Sequence, residues 1–102
     1  MRCLACLREL GPPAADGPAV SISGGIAGDE YTETYFFCPD CLAYTVEIVH
    51  DRFLGEPAVL EKGPLSEADG LARLEIVRRC PRPWDKTCRC PAHRAYFGDS
   101  LD

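Results

Sequence analysis

Alternation of apolar and polar positions, the mark of a half-buried strand, recurs three times in the first half of the chain. Val20 and Ile22 alternate with Ser21 and Ser23, a short strand ended by Gly24-Gly25, where a hairpin can start. In the next stretch Tyr31, Tyr35 and Phe37 share one face, and Thr32 and Thr34 occupy the other. Tyr44, Val46 and Ile48 then alternate with Thr45 and Glu47, giving the clearest strand in the sequence. His50 continues the inward parity, Asp51 falls on the outer face with Glu47, and Gly55-Glu56-Pro57 ends the strand.

The second half changes period. Gly63-Pro64 marks a break, after which Ser66 and Asp69 form an S-x-x-D helix start and predict a helix over about 66–79. Gly70 in its interior costs up to ~1 kcal/mol relative to alanine. Ile76 beside Val77 blurs the helical stripe, and Leu74 and Ile76 equally suit a short strand. Pro81 and Pro83 stop whichever element forms. Earlier in the chain, Gly11 to Pro18 reads as a loop. No run approaches the ~20 apolar residues that cross a bilayer.

The chain has 102 residues, one domain's worth, and a domain of this size buries only about two thirds of its unfolded surface. Seven cysteines and two histidines in so short a chain therefore bear on stability. An odd number of thiols strands one in any all-disulfide framework. The N-terminal Met1-Arg2-Cys3-Leu4-Ala5-Cys6 does not read as a secretory signal. The expectation is a cytoplasmic protein whose thiols bind metal.

The spacing supports that expectation. Cys3 and Cys6 form one C-x-x-C, Cys38 and Cys41 a second, each followed by leucine (Leu7, Leu42). Two such turns facing each other supply four thiolates to a tetrahedral ion. The 31-residue gap between them exceeds the usual 15 to 20 residues, with loops at 11–18 and 24–30 expected to absorb the excess. Over residues 3 to about 50 the chain resembles the zinc-ribbon group of folds, with knuckles Cys3-Leu4-Ala5-Cys6 and Cys38-Pro39-Asp40-Cys41 closing a small antiparallel sheet. The Cys-Pro-x-Cys form also resembles the knuckle of rubredoxins, iron proteins of electron transfer. Rubredoxins usually place glycine where this chain has Leu7 and Leu42, so zinc is expected at this site in preference to iron.

A second set follows in Cys80, Cys88, Cys90 and His93, spaced C-x7-C-x-C-x2-H. With it, all seven thiols are assigned and two zinc ions per chain are expected. The competing reading is a set of buried or reactive thiols. Trp84 and Tyr96-Phe97 flank this cluster and are expected to pack over it or to form a contact surface.

Net charge is −5, unevenly spread: residues 1–72 carry −8 and residues 73–94 carry +5. Two divalent ions and seven thiolates would take the total to −8, so the basic segment is expected to be partly compensatory. A general base for a catalytic metal is not evident, Asp85 being the nearest candidate. The zinc-deaminase signature is missing, His50-Asp51 reads as a strand-end dipeptide, and Gly24 to Gly28 lacks P-loop register.

The expected fold class is a small, metal-stabilised α+β protein. A zinc-ribbon-like antiparallel sheet over 1–56 is followed by a helical or mixed segment and a second zinc loop over 57–102, packed as one unit. The expected function is a binding or adaptor module with two structural zinc ions and no enzymatic activity, the partner most often being a protein. Two alternatives stand beside it. One is nucleic-acid binding through Arg73, Arg78, Arg79, Arg82, Lys86, Arg89 and Arg94; the other is a thiol sensor or small metalloenzyme at Cys88 and Cys90.

Overall fold

The computed structural model describes residues 3–7, 20–26, 28–38, 40–52 and 54–98; the expected loop at Gly11 to Pro18 lies outside them. Four antiparallel strands form one sheet in chain order: β1 (Val20–Ile26), β2 (Asp29–Cys38), β3 (Ala43–Asp51) and β4 (Ala58–Ser66). Two helices follow, α1 (Glu67–Arg78) and α2 (Pro91–Phe97). The protein is thus a small α+β fold.

Register carries the alternating pattern into one apolar face. Val20 sits opposite Tyr35, Tyr35 opposite Val46, Phe37 opposite Tyr44, and Tyr44 opposite Leu65. Tyr35, Tyr44 and Val46 form the core with Leu74 of α1, and Val20, Ile48, Leu65 and Tyr96 pack around them. Burying an aliphatic side chain such as Val46 or Leu74 contributes ~1.5–3 kcal/mol. Phe37 shares this face but lies at its margin, 38% exposed.

Two glycine-containing pairs behave differently from the sequence expectation. Gly24-Gly25 does not end β1: both glycines stay in the ladder, opposite Tyr31 and Glu30, and the strand runs on to Ile26. The reversal comes between Ile26 and Asp29, where Gly28 takes φ +86°. The span between the two C-x-x-C pairs therefore contains a β-hairpin where a loop at 24–30 was expected. Gly63-Pro64 likewise lies inside β4, and the break it signals is a register shift against Tyr44 to Val46. Gly63 sits at φ +135°, and an added Cβ would come 2.9 Å from the carbonyl oxygen of Tyr44. Proline is tolerated there because β4 is an edge strand whose outer N–H groups no neighbouring strand needs.

The ambiguity over 71–79 resolves as helix. Ser66 Oγ accepts the Asp69 N–H at 3.1 Å, and Glu67 and Asp69 place negative charge in the first turn, where the helix dipole favours it. Gly70, Leu74 and Val77 are the buried positions, an i, i+4, i+7 stripe against the sheet. α2 was not anticipated. Its bracket is nevertheless present in the sequence, with Pro91 in the first turn and Gly98 (φ +82°) just past the end.

Candidate metal centres

The first cluster is assembled at one end of the sheet. Cys38 is the last residue of β2, Cys41 lies in the β2–β3 turn, and Cys38 pairs with Ala43 across that hairpin. Residues 3–7 supply the facing turn, closed by the Leu7 N–H donating to the Cys3 carbonyl at 2.8 Å. Leu4 N–H donates to Thr45 Oγ1 at 3.2 Å, and Thr45 is itself buried in β3, which ties the N-terminal turn to the sheet. Cys3 and Cys38 are buried with Phe36 and Cys41 packed against them, while Cys6 is exposed. Leu7 and Leu42, each following the second cysteine of its pair, take left-handed φ values of 64° and 51°. Each C-x-x-C turn therefore ends on a left-handed residue, with leucine where glycine is favoured.

The second cluster joins the two helices. Cys80 follows α1, its N–H donating to the Val77 carbonyl at 3.1 Å. Cys90 is the N-cap of α2, its Sγ accepting the His93 N–H at 3.4 Å. Between them, Asp85 Oδ1 accepts both the backbone N–H of Thr87 (2.9 Å) and its hydroxyl (2.6 Å), folding the loop that delivers Cys88. The candidate general base is thus engaged in the loop, and these bonds from Thr87 hold its carboxyl below the usual aspartate range. His93 is fully buried. Its Nε2 donates to the Ser23 carbonyl of β1 at 2.8 Å, which leaves the Nδ1 lone pair facing the thiols.

All eight residues singled out in the sequence are brought together in their two expected sets, each with its four ligand atoms within 4.8 Å of one another. A tetrahedral ion with sulfur ligands at ~2.3 Å needs sulfur–sulfur edges of about 3.8 Å. The observed separations are 3.9 Å for Cys3–Cys41 and for Cys6–Cys38, and 3.7 Å for Cys80–Cys88. His93 Nδ1 lies 3.8 Å from Cys90 Sγ and 2.9 Å from Cys80 Sγ, the latter a direct hydrogen bond that an ion would lengthen. Both sets can hold a metal ion.

Proton affinities show why clustered thiols call for a cation. Backbone hydrogen bonding, chiefly from Cys6, draws the Cys3 thiol down to about 7, while Cys41 is pushed up to about 12 by its contact with Cys6 and by burial. In the second set burial drives Cys80 up to about 12; Cys90 feels burial too, but hydrogen bonds from His93 outweigh it and hold the thiol at about 6. In each set one thiol ionises readily, Cys3 or Cys90, and one resists, Cys41 or Cys80. A divalent ion removes that conflict.

Around the second set most of the basic side chains have partners within the chain. Arg79 pairs with Glu75 at 2.8 Å, Arg82 with Asp85 at 3.9 Å, and Lys86 with Glu30. Arg89 donates to the carbonyls of Lys86 and Cys88. Arg73 lies beside the phenols of Tyr35 and Tyr96, where Tyr96 Oη donates to Glu33 at 2.6 Å and accepts from Tyr35. Burial pushes both phenols up, so they stay protonated and anchor α2 to β2.

The aromatic flanks divide. Phe97 stacks beside His93 with centroids 6.0 Å apart and Tyr96 packs on the core, whereas Trp84 is 70% exposed. His50, read with Asp51, instead bonds Asp29 at 2.8 Å and stacks on Tyr31. Two features escaped the sequence reading: Ser23 as the partner of His93, for which the sequence holds no signal, and α2 as its carrier, which the Pro91 to Gly98 bracket does signal.

The fold and the two ligand sets define a small α+β metal-binding protein. Compared with known protein families, curated proteins and solved structures, the chain matches none of them. Among the described residues no helix is long and apolar enough to cross a membrane.

Proposed function

We propose that this protein is a small zinc-binding adaptor module in which both ions are structural. The observation that carries the proposal is the convergence of four protein ligands at each of two places. Four protein ligands leave no coordination position for substrate or water, which favours a structural over a catalytic ion. The thiolate-rich composition, with one imidazole in the second set, favours zinc; iron suits the first, all-thiolate set only as the lesser choice. Zinc binding of this kind contributes on the order of 10 kcal/mol in small metallo-domains, comparable to the whole stability of a typical domain.

The contact surface in this reading is the loop between Cys80 and Cys90. Trp84 projects from it, and an exposed tryptophan is a frequent anchor in protein interfaces. The pairing of Arg79, Arg82 and Lys86 with acidic side chains of the same chain supports a protein partner over nucleic acid, since paired cations neutralise fewer phosphates. Cytoplasmic residence, where thiols remain reduced, belongs to the same proposal.

Metal analysis of protein purified without added zinc tests the core of it. Two zinc ions per chain are expected, falling to one in Cys88→Ser. A stoichiometry of one that Cys88→Ser leaves unchanged removes the second site, and visible absorption typical of ferric thiolate would replace zinc by iron at the first.

A further inference from the structure

The segment that carries the second ligand set also closes the edge of the sheet. β1 is an edge strand, and both backbone groups of its Ser23 are engaged by that segment. The Ser23 N–H donates to the Pro83 carbonyl at 2.8 Å, and the Ser23 carbonyl accepts from His93 Nε2 at 2.8 Å. Cys90 has two duties in the same segment, as candidate ligand and as the cap of α2. A cavity of about 340 Å³ lies between α1 and α2, walled by Ile76, Arg79, Cys90, Pro91, Ala92 and Ala95. Cys80, Cys88 and His93 do not line it. Half-buried Cys90 is thus the one residue of the second set among those that line this cavity.

We infer that the second site is a peroxide-released clasp: hydrogen peroxide entering this cavity oxidises Cys90, the ion departs, and residues 80–98 loosen from the β1 edge. The inference rests on the reading of the second cluster as a zinc site. Cys90 thiolate attacks one peroxide oxygen; the O–O bond breaks, an S–O bond forms, and hydroxide leaves. Cys80 thiolate then attacks the sulfenic sulfur, forming the S–S bond and expelling a second hydroxide. The two sulfurs lose two electrons, peroxide gains them, and both hydroxides take up protons to become water. Cys80 is the partner because Cys88 lies only two residues from Cys90, too near along the chain for relaxed disulfide geometry.

The mechanical consequence follows from bond lengths. Sulfurs about 3.8 Å apart around an ion close to about 2.05 Å in a disulfide. That movement takes Cys90 Sγ from its capping position. His93, no longer held by the ion, keeps its bond to Ser23 and its stack on Phe97 but loses the anchor that fixed it to Cys80, Cys88 and Cys90.

The test uses the zinc-loaded full chain titrated with hydrogen peroxide. Released zinc is read with a colorimetric chelator, disulfides by peptide mass mapping, and the β1 edge by amide exchange at Ser23. One of two ions is expected to leave, in step with a Cys80–Cys90 disulfide and with loss of protection at Ser23. Ala95→Leu, which narrows the cavity without touching a ligand, should retain two ions and slow the release several-fold. Loss of the first ion before the second, an unaltered rate in Ala95→Leu, or release with Ser23 still protected each overturns the clasp. Fewer than two ions before peroxide is added refutes the zinc reading; two ions that peroxide does not move refute the clasp alone.

Discussion

Gly70→Ala sets two effects of one methyl group against each other. Helix propensity favours alanine in the interior of α1 by about 1 kcal/mol. Packing opposes it. A Cβ placed on Gly70 would lie 2.0 Å from Tyr44 Cδ2, 2.6 Å from Cε2 and 2.7 Å from Cγ, against ordinary carbon contacts of about 3.5–4.0 Å. Relief requires the ring or the helix to move by more than an ångström. Tyr44 has little room to do so: it is 8% exposed, with Phe37 at 4.9 Å and Tyr35 at 6.3 Å between ring centroids. Overpacking of this kind costs ~1–3 kcal/mol, and a clash with a hemmed ring belongs at the upper end. The net expectation is destabilisation by about 1–2 kcal/mol. Urea unfolding at fixed free zinc measures it, because an ion bound only to the native state shifts apparent stability. Ala68→Gly, on the exposed side of the same helix, is the reference and should lose about 1 kcal/mol through propensity alone. If Gly70→Ala were instead stabilised by about 1 kcal/mol, the close approach of α1 to the sheet would be refuted.

Two further outcomes are expected. Leu42→Gly should stabilise the metal-loaded protein by up to about 1 kcal/mol, because it relieves a left-handed residue whose side chain is 56% exposed and gives up little burial; Leu42→Ala, which keeps the Cβ, should not, and equal effects in urea unfolding would place the gain in the side chain. Metal binding should release protons and weaken as pH falls, because Cys41 and Cys80, each held at about 12 without an ion, must ionise to ligate. Calorimetry in two buffers of different protonation enthalpy counts those protons, and an affinity equal at about pH 6 and pH 8 would argue against thiolate ligation.

Chemistry that is local in the chain was legible in it. C-x-x-C places two thiols in one turn whatever surrounds them, so the first set could be read from spacing, and the second from four candidate ligands within 14 residues. The start of α1 was legible for the same reason, since Ser66 caps an N–H three residues away. What failed was the reading of Gly24-Gly25 and Gly63-Pro64 as breaks. Those pairs interrupt an isolated strand, but ladder partners on β2 carry β1 through its glycines, and the edge position of β4 tolerates its proline.

The sequence by itself determined the eight candidate ligands, their division into two sets, the parity of β2 and β3, and the start of α1, because each depends on neighbours a few residues apart. Only the tertiary structure decided the rest. It closed the sheet with β4, left Trp84 outside, gave most of the basic segment internal partners, and set the imidazole of His93 against a carbonyl 70 residues away. Such pairings are selected by packing and by the need to satisfy buried polar groups, and no short-range pattern records them.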